Sequence, residues 1–322
     1  MVDVPDPRGE ASAVVDDLAK RALLIVSGKG GVGRTAVSAL LGLELARRGR
    51  KVLVATVGHD DRLAWMLGQQ TLADTAVEIA PRLHVQRVVP HVCVREYGSM
   101  MMRSERISRA VFDNKLMRRV MGALPGLDDY AILGKLWHVA CRAREYDCVV
   151  YDGPATGHLR YNLQVPSAIL ETVPRGPLIK DAKAMHEALI DPRRVAAVLV
   201  GLPARWPLTE LGELATSLRE ELHVSIGALI VNGLWPINVP LLPEPPRDDP
   251  DGALERFFAI TNTIAAQARR QETNVSAWLA EEQRLGRATP PVIELPWRWA
   301  GIAGLADLQA LADALREGRT RA

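Results

Sequence analysis

The chain has 322 residues, of which 48% are apolar and 24% charged, and a formal net charge of +2. That composition supports a sizeable buried core, and the near-balanced charge gives no overall field for nucleic acid or an anionic membrane, so no nucleic-acid partner is expected. Aromatic residues make up only 5% of the chain, too few for a base-stacking surface, and no apolar run reaches the roughly 20 residues of a membrane span. Residues 1–20 are acidic and polar and read as an N-terminal extension, not a signal peptide. The three cysteines, Cys93, Cys141 and Cys148, form no CxxC pair. They point to buried thiols in a reducing cytoplasm, with no zinc expected.

In chain order, Ala22–Ser27 is a short apolar run suited to a strand buried on both faces. A glycine-rich loop follows, and then leucines at helical spacing from Thr35 to Arg48, stopped by Gly49. Further strands are expected at Lys51–Val57, His84–Val88, Cys148–Asp152, Val195–Leu202, Ser225–Asn232 and Val292–Leu295, with helical stretches between them. This alternation predicts an α/β fold with a doubly wound, mostly parallel sheet. Residues 21–320 read as a single domain. Residues from about 95 to 145 hold consecutive helical patterns and read as a helical insert. Leu234–Pro250, rich in proline, reads as a loop, followed by a long polar helix from about Gly252 to Gly286.

The loop carries the chemistry. Gly28-Lys29-Gly30-Gly31-Val32-Gly33-Arg34-Thr35 fits G-x-x-x-x-G-K-[ST] with arginine in place of lysine, directly after a buried strand and opening a helix. Glycines let backbone N–H groups converge on phosphate oxygens, and the helix N-terminus, entered through Ala36, adds partial positive charge. The Thr35 hydroxyl suits Mg²⁺. At the end of a second buried strand, Asp152 is placed to hold Mg²⁺ through water and to sense a γ-phosphate.

These motifs resemble a known family. Lys29, directly after the first glycine, marks the deviant Walker A group, in which this lysine reaches across a dimer interface to the partner's nucleotide. Asp152-Gly153-Pro154-Ala155-Thr156-Gly157-His158-Leu159-Arg160 resembles switch II of the ArsA branch, D-T-A-P-T-G-H-x-L-R, which includes arsenite-pump ATPases and the guided-entry ATPases that target tail-anchored proteins. The resemblance covers roughly residues 20 to 317. It implies ATP and Mg²⁺ as cofactors, Asn232 as an adenine contact and Pro296 and Trp297 as packing contacts for the base. It also implies a homodimer, or a heterodimer with a paralogue.

The chain departs from the family pattern in three places. Arg34 replaces the loop lysine, keeping the charge in a wider planar fork. The switch I position, 23 residues after Thr35, is Gly58 where the family has a water-orienting Asp, which leaves Asp60 or Asp61 as substitutes. The interface CxxC and the metalloid-binding thiols are missing, so a zinc-held dimer and arsenite stimulation are not expected. In the insert, Ser99–Leu124 is methionine-rich but interrupted by arginines, and reads either as core or dimer packing or as a groove for a protein client. The leading expectation is an ATP-binding switch protein with slow hydrolysis, with Lys29 and Asp60 as catalytic candidates. The alternative is a hydrolysis-deficient regulatory subunit paired with an active paralogue. A MinD/ParA-like positioning ATPase is disfavoured by the T-G-H-x-L-R string.

Overall fold

Leu23–Gly28 (LLIVSG) is buried along its whole length, and a strand with no solvated face is stable only in the middle of a sheet covered on both sides. It takes that place. The computed structural model describes residues 7–58, 61–102, 126–172, 177–236, 238–245, 251–316 and 320–321. Within these residues, nine strands form one sheet: β1 (Leu23–Gly28), β2 (Val52–Val57), β3 (Val77–Ala80), β4 (Leu83–Val88), β5 (Cys148–Ala155), β6 (Val195–Gly201), β7 (Ile226–Leu234), β8 (Val292–Pro296) and β9 (Thr320–Arg321). Their order is β3-β4-β2-β5-β1-β6-β7-β8-β9. The six inner pairings from β4 to β8 are parallel, and only the short outer strands β3 and β9 run antiparallel.

The helices are α1 (Pro7–Leu18), α2 (Arg34–Arg47), α3 (Arg62–Met66), α4 (Pro90–Met102), α5 (Leu127–Trp137), α6 (Thr156–Thr172), α7 (Pro177–Ile190), α8 (Arg205–Glu220), α9 (Ala253–Arg284) and α10 (Leu305–Arg316). They cover both faces and give two apolar clusters. One packs Tyr130, Trp137 and Met185 against one sheet face; the other packs Leu40, Leu41 and Leu308 against the opposite face. No described helix is long and apolar enough to cross a membrane.

Every strand expected from the sequence is present, and the long polar helix is α9. Strands β3 and β9 were not anticipated: β3 is four residues, half of them exposed, and β9 is two, too short to show a period. Residues 103–125, which hold most of the methionine- and arginine-rich stretch, lie outside the described residues, as does Asp60.

Residues 7–18 of the expected N-terminal extension pack against the sheet. Residues 7–18 form α1, which seats Ala11, Val15 and Leu18 at zero exposure. Leu18 fills the space beside Gly227 on β7, where an added Cβ would stand 2.5 Å from its Cδ2. Arg48 at the end of α2 donates to Asp16 (2.7 Å) and to the Ser12 hydroxyl (3.0 Å). Acidic residues hid the apolar i, i+4, i+7 spacing of these three positions. Leu18→Ala is therefore expected to destabilise the protein by about 2–5 kcal/mol in urea unfolding; an unchanged midpoint would show α1 to be a dispensable appendage.

Candidate functional site

Strand β1 ends between β5 and β6, with Val26 opposite Asp152 and Gly28 opposite Val200. The loop from Lys29 to Gly33 therefore emerges at the carboxyl edge of the parallel strands, where α/β sheets place their ligands. Gly33 sits at φ +94°, and a Cβ there would stand 2.3 Å from Asn232 Nδ2. Both the backbone conformation and the close approach require glycine. Asn232 Nδ2 donates to Val32 O at 2.9 Å, so the side chain expected at the adenine edge also holds the loop.

Two cavities flank the loop. The first, about 420 Å³, is lined by Gly31, Val32, Gly33, Ala36, Asn232 and the Pro296–Trp297 pair, with Trp299 beside them. The Trp297 and Trp299 rings meet edge to face, with centroids 6.4 Å apart. Residues named from distant parts of the chain as base contacts thus come together on one side of the loop. Trp299 adds an aromatic wall that sequence reasoning missed, although it lies only two residues beyond Trp297.

The second cavity, about 250 Å³, lies on the other side of the loop; its lining includes Arg34, Thr35, Thr56, Arg62, Asp152 and His158. Asp152 is held by three hydroxyls: Thr35 donates to Oδ2 (2.9 Å), Thr56 lies 3.3 Å from the same oxygen, and Ser38 lies 3.2 Å from Oδ1. Ser38 follows Thr35 by one turn of α2, and Thr56 pairs in register with Asp152 across β2 and β5. Both were legible in principle from the helical and strand periods. Burial pushes the Asp152 carboxyl above its ordinary range, opposed by the Thr35 and Ser38 hydroxyls and the Arg34 charge.

The residues after Asp152 are tied to the loop. Arg34 Nη1 donates to Gly153 O at 2.5 Å, and the Ser27 hydroxyl donates to Pro154 O at 2.7 Å. Gly157 and His158 open α6, where His158 Nε2 lies 3.2 Å from Asp129 Oδ1. Lys29 pairs with Glu210 of α8 at 2.6 Å. Both side chains are partly exposed, and a pair of this kind contributes about 0–1 kcal/mol, weak enough to be exchanged for another anion.

The other switch candidates sit less favourably. Gly58 lies at φ +106°, a conformation that residues with a Cβ rarely adopt, with open space around it. Asp61 is tied to Arg87 at 2.5 Å. Arg62, one residue further on, does line the cavity, although no motif in the sequence marks it.

For Mg²⁺, the second cavity offers hard oxygen donors, the Thr35 hydroxyl and the Asp152 carboxylate. Among the described residues no cluster of three or more His, Cys, Asp or Glu could hold a metal. One carboxylate and hydroxyls suit a Mg²⁺ held mainly by phosphate and water.

The sequence model of the anion-transporting ATPase family, of ArsA type, matches residues 21–176, which contain the loop and the Asp152 motif. The chain is 25% identical to ATPase BagA of Mycobacterium tuberculosis over 323 residues, 93% of this chain and 94% of that protein. It is 26% identical to the arsenical pump-driving ATPase of Escherichia coli over 309 residues, 88% of this chain and 48% of the pump-driving protein. It is 29% identical to the arsenical pump-driving ATPase of Acidiphilium multivorum over 242 residues, 66% and 39% respectively. The chain thus matches half or less of the length of these two pump-driving ATPases.

The partly buried Asp152 has a consequence for stability. Its folded pKa lies above the ordinary 3.8, so between those two values the folded state binds more protons than the unfolded state. Stability then falls as pH rises through that window, and the cost is fully present above it. Asp152→Asn, without nucleotide, is expected to melt above wild type at pH 7, with the gap closing as the pH falls below the ordinary carboxylate value. A melting temperature below wild type at pH 7 would show that the hydroxyl cage outweighs desolvation.

Proposed function

The chain belongs to the ArsA ATPase family, and from that premise we propose that it is an ATP-binding switch protein that hydrolyses Mg·ATP slowly. The observation that carries this reading is the pairing of the two cavities across one phosphate loop. The base would lie by Asn232, Pro296 and Trp297, and the terminal phosphate and Mg²⁺ by Arg34, Thr35 and Asp152. The loop N–H groups and the α2 N-terminus would cradle the phosphates between them. Mg²⁺, when bound, supplies charge neutralisation at the phosphates.

The switch follows from Arg34. Its guanidinium holds the Gly153 carbonyl. A γ-phosphate near it offers a full negative charge, an attraction of about 4 kcal/mol at 4 Å in a partly solvated site, which a neutral carbonyl cannot match. ATP would draw Arg34 away and free the segment after Asp152 to move, a two-state element biased by the terminal phosphate. Lys29, exchanging Glu210 for phosphate, would join two chains as a homodimer or with a paralogue. The helical segment near 95–145 is the candidate surface for a protein client. The absence of the arsenic-binding thiol pattern speaks against a metalloid-stimulated pump.

A second reading has its own support. Gly58 presents no side chain, and Asp61 is engaged with Arg87, so the described residues supply no evident orienter for attacking water. That favours a nucleotide-binding, hydrolysis-deficient regulatory subunit. Steady-state phosphate release with Mg·ATP separates the two, with Asp152→Asn as control. Slow release is expected from wild type, at least about tenfold above the control. ATP binding with release no higher than the control would select the regulatory reading.

A further inference from the structure

At the opposite edge of the sheet, where β2, β5, β1 and β6 begin, the segments entering these strands enclose a separate cavity of about 320 Å³. Its charged lining is one-sided: Lys20, Arg50, Arg144, Arg193 and Arg194 face a single carboxylate, Asp147. Asp147 Oδ2 already accepts the Lys51 N–H at 2.8 Å. Arg193 is neutralised by Asp191 through contacts of 3.0 and 3.1 Å, and Lys20 lies 3.5 Å from Asp17. Arg50, Arg144 and Arg194 have no carboxylate partner among the described residues. Two of them are aimed by backbone carbonyls: Arg50 Nη2 donates to Asp147 O and Arg194 Nη2 to Cys141 O, both at 3.0 Å. Arg50 Nε is buried without a partner.

The third is held by an unusual stretch of backbone. Residues His138–Arg142 form a π-helical turn, a geometry that recurs at functional sites. Arg144 just beyond it adopts φ +53°, one of three described non-glycine residues with positive φ. The left-handed region is unfavourable for a residue with a Cβ and open to glycine. Arg144 takes the left-handed position of a helix C-cap closed by the Glu145 N–H donating to Val139 O at 3.1 Å, where glycine is usual, and its side chain makes no hydrogen bond or ion pair among the described residues.

We propose that this cavity is a second anion site, for a small phosphate-bearing molecule, at the end of the sheet away from the nucleotide loop. Three unneutralised guanidiniums reaching one compact space from the segments that enter three different strands match a tetrahedral group with acceptors in several directions. A planar carboxylate would satisfy one fork. The site goes beyond the ATPase reading and does not depend on it.

The test is a thermal-melt titration of the full chain with sodium pyrophosphate at fixed ionic strength, repeated with Arg144→Gly and Arg34→Ala. Pyrophosphate is expected to raise the Tm of wild type and also of Arg34→Ala, in which the nucleotide loop's own hold on phosphate is weakened. Without ligand, Arg144→Gly is expected to melt about 1–2 °C higher as the backbone relaxes. It is also expected to require roughly tenfold more pyrophosphate for the same response. Phenylglyoxal labelling read by peptide mass spectrometry should show Arg144 and Arg194 protected by pyrophosphate in wild type. The proposal is overturned if wild type gives no increment, if Arg144→Gly keeps the wild-type midpoint, if Arg34→Ala loses the increment, or if Arg144 stays unprotected. Citrate acting as well as pyrophosphate would overturn the assignment to phosphate.

Discussion

A partly buried carboxylate fixed by three hydroxyls organises this molecule. Asp152 stands in the carboxyl half of β5, between β1 and β2, and Thr35, Ser38 and Thr56 reach it from α2 and β2. The contact ties the first turn of the helix that would bind phosphate to the strand end that would respond to it. Burial opposes the charge, and the hydroxyls and Arg34 only partly offset that opposition. Such a site gives up stability in the free protein and gains most when a cation and phosphates complete it, as expected where function and stability conflict.

The sheet separates the tasks. At its carboxyl edge, the loop, Asn232 and the Pro296–Trp297 pair form one side of a nucleotide-shaped site, and Arg34 and Asp152 form the other. Arg34 is the hinge of this arrangement. A lysine would meet phosphate as a point charge, whereas the guanidinium fork also grips Gly153, the residue after Asp152. The substitution that departs from the family pattern thereby couples the loop to the segment after Asp152. At the amino edge, a second charge cluster has no part in that machinery and rests on a left-handed arginine.

Much of this was readable from residues. The alternation of apolar runs placed seven strands, because strands buried on both faces need unbroken apolar stretches. The phosphate loop was named from pattern, and Asn232 and Pro296–Trp297 from the family resemblance; with the Asp152 motif they line two adjoining cavities. What escaped notice depended on tertiary register. Ser38 and Thr56 are ordinary residues until helix and sheet geometry point them at Asp152. Glu210 lies 181 residues from its partner Lys29. Helix α1 was hidden by its acidic face, and β3 and β9 by their shortness. The basic cavity could not be inferred at all, since its charges come from four separate segments of the chain.

The central claim is that Thr35 and Asp152 form a Mg²⁺-dependent phosphate site next to a base pocket. Calorimetric titration of ATP into the full chain, with Mg²⁺ and with EDTA, tests it most directly, using wild type and Thr35→Ala. Wild type is predicted to bind ATP at least about tenfold more tightly with Mg²⁺, a gap of about 1.4 kcal/mol, and Thr35→Ala to lose that dependence. Equal wild-type affinity under both conditions would contradict the account.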